Sequence, residues 1–175
     1  IEKAKKMHIH DDQETAVFKY NLNFIVDYHE LDYATSKLIS NYIDSEKSFC
    51  RHYFLKMDEI LEIQNLGHII AWHTKYHIPM SKLCFKEIEE DLNYGFNLLN
   101  EINKNKNLEK HICYPYGRLD ALPLNYLDKI FSKKFKYGWT LDQVNSRFID
   151  RKYNNLLLQR ITTNELFKNI DELSL

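Results

Sequence analysis

The stretch Gly67-His68-Ile69-Ile70-Ala71-Trp72-His73-Thr74-Lys75-Tyr76-His77 decides how this chain is read. A short apolar run leads straight into two histidines four residues apart, His73 and His77. A run of this length bounded by glycine predicts a short strand over 68–72. Neutral imidazole is a good ligand for zinc and its neighbours. If 73–77 forms a helical turn, positions i and i+4 share a face and both rings reach one ion. The plain alternative is a pair of loop or core histidines without a ligand role, and His68 is read as structural.

A second phrase follows about one strand-helix unit later, Cys113-Tyr114-Pro115-Tyr116-Gly117. It ends a predicted strand over 111–114 in a tight turn. Glycine allows torsions denied to other residues, and amides exposed in such a turn can donate to a developing oxyanion. Taken alone, the phrase is an ordinary proline-containing loop.

Working outward, residues 67–175 alternate strands with helices. Ser81 is placed as the cap of a long helix whose inner side carries Leu83, Ile88, Leu92, Leu99 and Ile102. Pro123 opens a helix through 131, where proline is tolerated in the first turn. Strands follow over 137–140 and 156–161, and Asn164 caps a last helix. Such alternation predicts an α/β fold with parallel pairing, whose functional groups gather beyond the strand C-termini. Residues 13–65 read as helical instead. Ala16, Val17, Tyr20 and Phe24 recur at helical spacing, as do Leu31, Ala34, Leu38 and Tyr42, and then Met57, Ile60 and Leu61. Asp11 or Asp12 caps the first of these helices, Asp32 helps begin the second, and Gly67 ends the third.

Composition narrows the function classes. The 175 residues carry a net charge of −1, with no electrostatic case for nucleic acid or an anionic membrane. No apolar run approaches the ~18 residues a membrane span needs. Cys50, Cys84 and Cys113 fit neither a thiolate zinc motif nor a disulfide framework, so a reducing, cytoplasmic compartment is the simplest reading. The 12 Tyr and 10 Phe suit a carbohydrate-facing surface, although the codon usage of an AT-rich genome is the simpler cause.

The order of these pieces resembles the polysaccharide deacetylase family, the NodB-like deacetylases of carbohydrate esterase family four. Its second motif, Gly-His-Glu-Ile-Gly-x-His-Thr-x-x-His, is similar to 67–77 here. Its third motif in one branch, Tyr-Pro-Tyr-Gly, stands at 114–117. A late Leu-Pro-Arg-Ile is similar to Leu158-Gln159-Arg160-Ile161. An insertion of some members, with Asp-Asp-x-Glu-Thr and Lys-Tyr-x-Leu-Asn, resembles 11–15 and 19–23. The resemblance implies a partial or distorted (β/α) barrel in a single domain, with a helical insertion over 1–65 and βα repeats over 66–175. It implies His73 and His77 as metal ligands, usually for zinc, and the backbone amide of Tyr116 as a catalytic oxyanion donor. Arg160 and Trp139 would lie near the site. The substrate implied is an N-acetylated carbohydrate of a surface polysaccharide or its precursor.

Departures from the family pattern are equally specific. The first motif, Thr-Phe-Asp-Asp-Gly, which provides a catalytic base and the third metal ligand, is not found. The nearest text, His10-Asp11-Asp12-Gln13, lacks its glycine and is read as the start of the helical insertion, with the motif expected upstream of Ile1. The late Leu-x-His segment that often supplies a general acid is also replaced, by Leu156-Leu157-Leu158-Gln159. Loss of a general base typically costs 10²–10⁴-fold in rate. Two readings follow: a metal-dependent deacetylase completed by a missing N-terminal segment or a second copy, or a catalytically incomplete carbohydrate-binding module on the same scaffold.

Overall fold

Four short parallel strands organise the second half of the chain. In this computed structural model residues 1–8, 11–104, 106–141 and 155–160 are described. The chain divides into two compact units, Ile1–Ile63 and Gln64–Leu175.

The first unit is helical: α1 Glu2–Met7, α2 Gln13–Tyr20, α3 Tyr28–Ile39, α4 Glu46–Tyr53, and most of α5, Met57–Asn65. Side-chain caps set the starts of α2, α3 and α4. Asp12 accepts from the Thr15 amide at 2.9 Å and the Thr15 hydroxyl at 2.7 Å. Asp11 beside it pairs with Lys19 at 2.8 Å. The expected start at Asp32 is corrected to Asp27, whose carboxylate accepts from the His29 amide at 2.9 Å. Asp32 lies inside α3, because Asp27 takes the free amides one turn earlier. Helix α4 falls within the 13–65 stretch read as helical, whereas α1 precedes it.

In the second unit β1 Ala71–Trp72, β2 His111–Cys113, β3 Tyr137–Thr140 and β4 Leu158–Gln159 form one sheet in that order. All three pairings are parallel, with Ala71 opposite His111, Cys113 opposite Trp139, and Trp139 opposite Leu158. Strand β1 is shorter than expected. Among the described residues it is an edge strand with one neighbour, and its ladder to β2 covers only Ala71 and Trp72, so 68–70 remain outside it. The 156–161 strand is likewise reduced to two residues. Leu156 turns its carbonyl to the Tyr114 hydroxyl at 2.9 Å. Ile161 and the Asn164 helix lie outside the described residues.

Helix α6, Phe85–Ile102, connects β1 to β2 and buries Ile88, Leu92, Leu99 and Ile102 on its inner side. Its cap is Cys84, not Ser81. The Glu87 carboxylate accepts the Cys84 amide at 2.7 Å, while Met80–Lys82 forms a separate 3-10 turn that also leaves Leu83 outside the helix. Between β2 and β3 the expected helix from Pro123 is irregular. It runs as a 3-10 turn, Leu124–Tyr126, a wide π-type turn, Leu127–Phe131, and a last α-helical turn, Ser132–Lys134.

Strand alternation assigns the faces. Trp72 and Ile112 share one face with Tyr114, which is fully buried. Ala71, His111, Cys113, Tyr137, Trp139 and Leu158 share the other. There the Trp139 indole donates to His111 Nδ1 at 3.0 Å, and the two rings stack at 5.9 Å.

Candidate metal centre

Parallel pairing puts the ends of β1 and β2 at the same edge of the sheet, so the 73–77 and 114–117 phrases meet there. His73 Nδ1 lies 2.6 Å from the Cys113 carbonyl oxygen. A carbonyl only accepts, so Nδ1 carries the proton and Nε2 keeps its lone pair. The His73 and His77 ring centres are 4.9 Å apart, and the Tyr116 ring lies 4.8 Å from that of His77. The structure thus brings together all three residues singled out by sequence. Of the two other residues expected near the site, Arg160 follows β4, its amide bonded to the Thr140 carbonyl at 2.8 Å. Trp139 stands opposite Cys113 in the sheet, with its indole held to His111.

The expected helical turn over 73–77 does not form. Thr74 and His77 adopt left-handed torsions instead, at φ 62° and φ 53°. Each such residue costs about 1–3 kcal/mol and persists only where its surroundings over-determine it. The determinants are visible. The His77 amide donates to Thr74 Oγ1 at 3.1 Å, and the Lys75 amide donates to Asp91 Oδ2 at 2.8 Å. The other oxygen of Asp91 accepts the Trp72 indole at 2.8 Å. Trp72 in turn lies on α6 over Gly95, where an added Cβ would collide with the indole ring.

The second bend is left-handed as well, at Tyr116, φ 62°, and Gly117, φ 63°. A side chain at Gly117 would also meet Leu141, whose amide donates to the Gly117 carbonyl at 2.6 Å. That position therefore requires glycine twice over.

The electrostatics separate the two imidazoles. The Cys113 thiol beside His73 raises its pKa, with the carbonyl bond adding to that, against burial and the charge of Arg160. Burial lowers the pKa of His77, helped by neighbouring His73. The Cys113 thiol is itself pushed down, chiefly by His73 and also by Arg160. Burial pushes the Tyr116 phenol up. Arg160 Nε is buried with no hydrogen-bond partner among the described residues.

Do these groups fit a metal? Zinc binds imidazole nitrogen at about 2.0–2.1 Å, which puts each ring centre about 3.2 Å from the ion. Tetrahedral sharing then separates the centres by about 5 Å, close to the 4.9 Å observed. The donor chemistry fits too, since a metal-binding histidine characteristically donates its other ring nitrogen to a carbonyl or carboxylate. Among the described residues no group of three His, Cys, Asp or Glu side chains converges. The pair could therefore offer a metal two ligands. Asp11 and Asp12 are engaged locally at the start of α2, as the sequence reading has them.

Sequence reasoning missed Asp91 and Gly95. One signal was available, because Asp91 stands three residues after Ile88 and four before Gly95, a carboxylate on the buried stripe of α6. A charge in that position calls for specific donors. Nothing local to the sequence names Trp72 and Lys75 as those donors.

No helix among the described residues is long and apolar enough to cross a membrane. No curated protein and no solved structure matches the chain. The family model described as polysaccharide deacetylase matches residues 11–131, which take in most of the helical unit, both bends and α6. With more than half its length matched, and with both motifs meeting at one edge of a parallel sheet, the chain belongs to the polysaccharide deacetylase family.

Proposed function

We propose that His73 and His77 hold a divalent transition metal, zinc by preference, for hydrolysis of N-acetyl groups on the sugars of a surface polysaccharide or its precursor. The observation that carries this reading is the His73–Cys113 hydrogen bond, which leaves Nε2 of His73 available beside His77. Zinc at such a site polarises an amide carbonyl and activates water.

The chain's own groups have separate tasks. Cys113 orients the His73 ring through its carbonyl and makes it a better donor. Tyr116 packs on His77 and restricts its rotation. We assign the backbone amide of Tyr116, in the left-handed bend, to the oxyanion. Its phenol stays protonated, so it offers the sugar a hydrogen bond and no competing charge. Arg160 brings a fixed positive charge beside His73 and Cys113, with an Nε suited to a substrate oxygen or a carboxylate. Trp139, paired with Cys113 in the sheet and tied to His111, is assigned a supporting place near the site. The third ligand and the general base are assigned to a segment outside the described residues, and the sheet to a (β/α) barrel. The free thiols of Cys50, Cys84 and Cys113 fit a reducing compartment.

Loading the full chain with zinc, desalting it and measuring its metal content tests the assignment. The wild type retains about one zinc per chain, while His73→Ala and His77→Ala retain none. Acetate release from N-acetylated oligosaccharides falls with the metal. Equal metal content in all three proteins overturns the reading.

A further inference from the structure

We infer that Asp91 is a positioning residue for the metal pair: it touches neither imidazole, yet it sets the metal affinity by locking the bend that carries them. This rests on the proposed role of His73 and His77. Both carboxylate oxygens of Asp91 are spent on that bend, one on the Trp72 indole immediately before His73 and one on the Lys75 amide between the two histidines, each at 2.8 Å. Donors to an ionised carboxylate make the stronger class of hydrogen bond. The anchoring element is also the longest among the described residues of its unit. Helix α6 runs from Phe85 to Ile102 with Ile88, Leu92 and Gly95 buried around Asp91.

Geometry explains why the bend needs an outside anchor. It contains two non-glycine residues in left-handed torsions, Thr74 and His77. Within it, the His77 amide donates to the Thr74 hydroxyl at 3.1 Å. Without Asp91 the Lys75 amide and the Trp72 indole lose their acceptor, and the bend is free to relax toward ordinary torsions. His73 would remain on Cys113, whereas His77 would leave its 4.9 Å approach. Two ligands that must be gathered at the moment of binding hold a metal less tightly than two already gathered. Asp91 is thus the outer layer of the site, contributed by a helix with no ligand of its own.

Zinc affinity of the full chain, measured by chelator competition, tests this alongside amide hydrogen exchange of the metal-free protein. Asp91→Asn keeps the side-chain size and one acceptor, and should weaken zinc by about 10-fold; Asp91→Ala should approach about 100-fold. The Lys75 amide should exchange faster in both. Trp72→Phe removes only the indole donor and keeps the ring on Gly95, so it supplies a milder perturbation should the Asp91 variants fold poorly; it should weaken zinc less than Asp91→Asn does. Wild-type affinity in Asp91→Asn and Trp72→Phe would overturn the inference and leave the metal site standing. A wild type that takes up no zinc would overturn the site itself, and the inference with it.

Discussion

The two units are held by different physics. Among the described residues the buried hydrophobic side chains of the first unit are Ala4 and Ala16. The second unit buries Met80, Ile88, Leu92, Leu99, Ile112, Tyr114, Leu127 and Phe131. In the first unit Tyr33, Tyr42 and Tyr53 are 70%, 82% and 72% exposed, although helical spacing had marked Tyr42 as part of an apolar stripe. Its longest helix, α3, has 12 residues, a length at which an isolated helix is marginal in water. Caps therefore decide where those helices begin. In the second unit packing overrides local preference. It accepts two-residue strands, moves a cap from Ser81 to Cys84, and holds three non-glycine residues in left-handed torsions. The candidate site lies in that unit because strained backbone needs neighbours that cannot move.

The contrast is broken most forcefully at Tyr114. This ring is fully buried, lies 5.8 Å from Phe131, and spends its hydroxyl on the Leu156 carbonyl. Tyr114→Ala should cost the second unit about 3–5 kcal/mol, the range for deleting a large buried aromatic ring. Both tryptophans, Trp72 and Trp139, lie in that unit, so denaturation followed by tryptophan fluorescence reports it selectively. A midpoint unchanged by Tyr114→Ala would deny that this unit is held by its core.

A smaller and local effect is expected in the first unit. Asp27→Ala removes the acceptor for the first amides of α3 and should cost about 1 kcal/mol of helix stability. Amide exchange along α3 should quicken while the tryptophan transition stays in place. Movement of both together would mean that the two units unfold as one, and the contrast drawn above would fail.

The same contrast explains what was legible in the sequence. Strand β3 and the inner stripe of α6 were readable because periodicity records burial directly. His73, His77 and Tyr116 were readable as a set because parallel strands deliver their C-terminal loops to one edge. The length of β1 was not, since an edge strand ends where its neighbour's ladder ends, and that is a property of β2. Nor was the bend over 73–77: four-residue spacing suits a helical turn, and the left-handed torsions of Thr74 and His77 go with bonds to the Thr74 hydroxyl and to the distant Asp91. Asp27 was passed over for Asp32 because both are plausible caps, and their difference lies in which free amides each one meets. Residues fixed by their own pattern were legible; residues fixed by a partner far along the chain were not.

The finest difference lies inside the second unit, between two residues of one type. His73 is held toward its protonated form by the Cys113 thiol and carbonyl, and His77 is held toward its neutral form by burial. For His73 the native pKa is raised, so its contribution to stability is present below the unfolded value and is lost as pH rises through the native one. For His77 the native pKa is lowered, so its contribution is present above the unfolded value and is lost as pH falls. The two trends oppose each other around the ordinary histidine range, and overall stability is a blunt measure of either. Imidazole carbon-proton shifts in the metal-free protein resolve them, and His73 should lose its proton at a higher pH than His77. Zinc requires both rings neutral, so its affinity should climb with pH until His73 has titrated and then level off. If His77 were the later of the two to lose its proton, Cys113 would not be governing the titration of the pair, and the difference drawn between the two rings would be reversed.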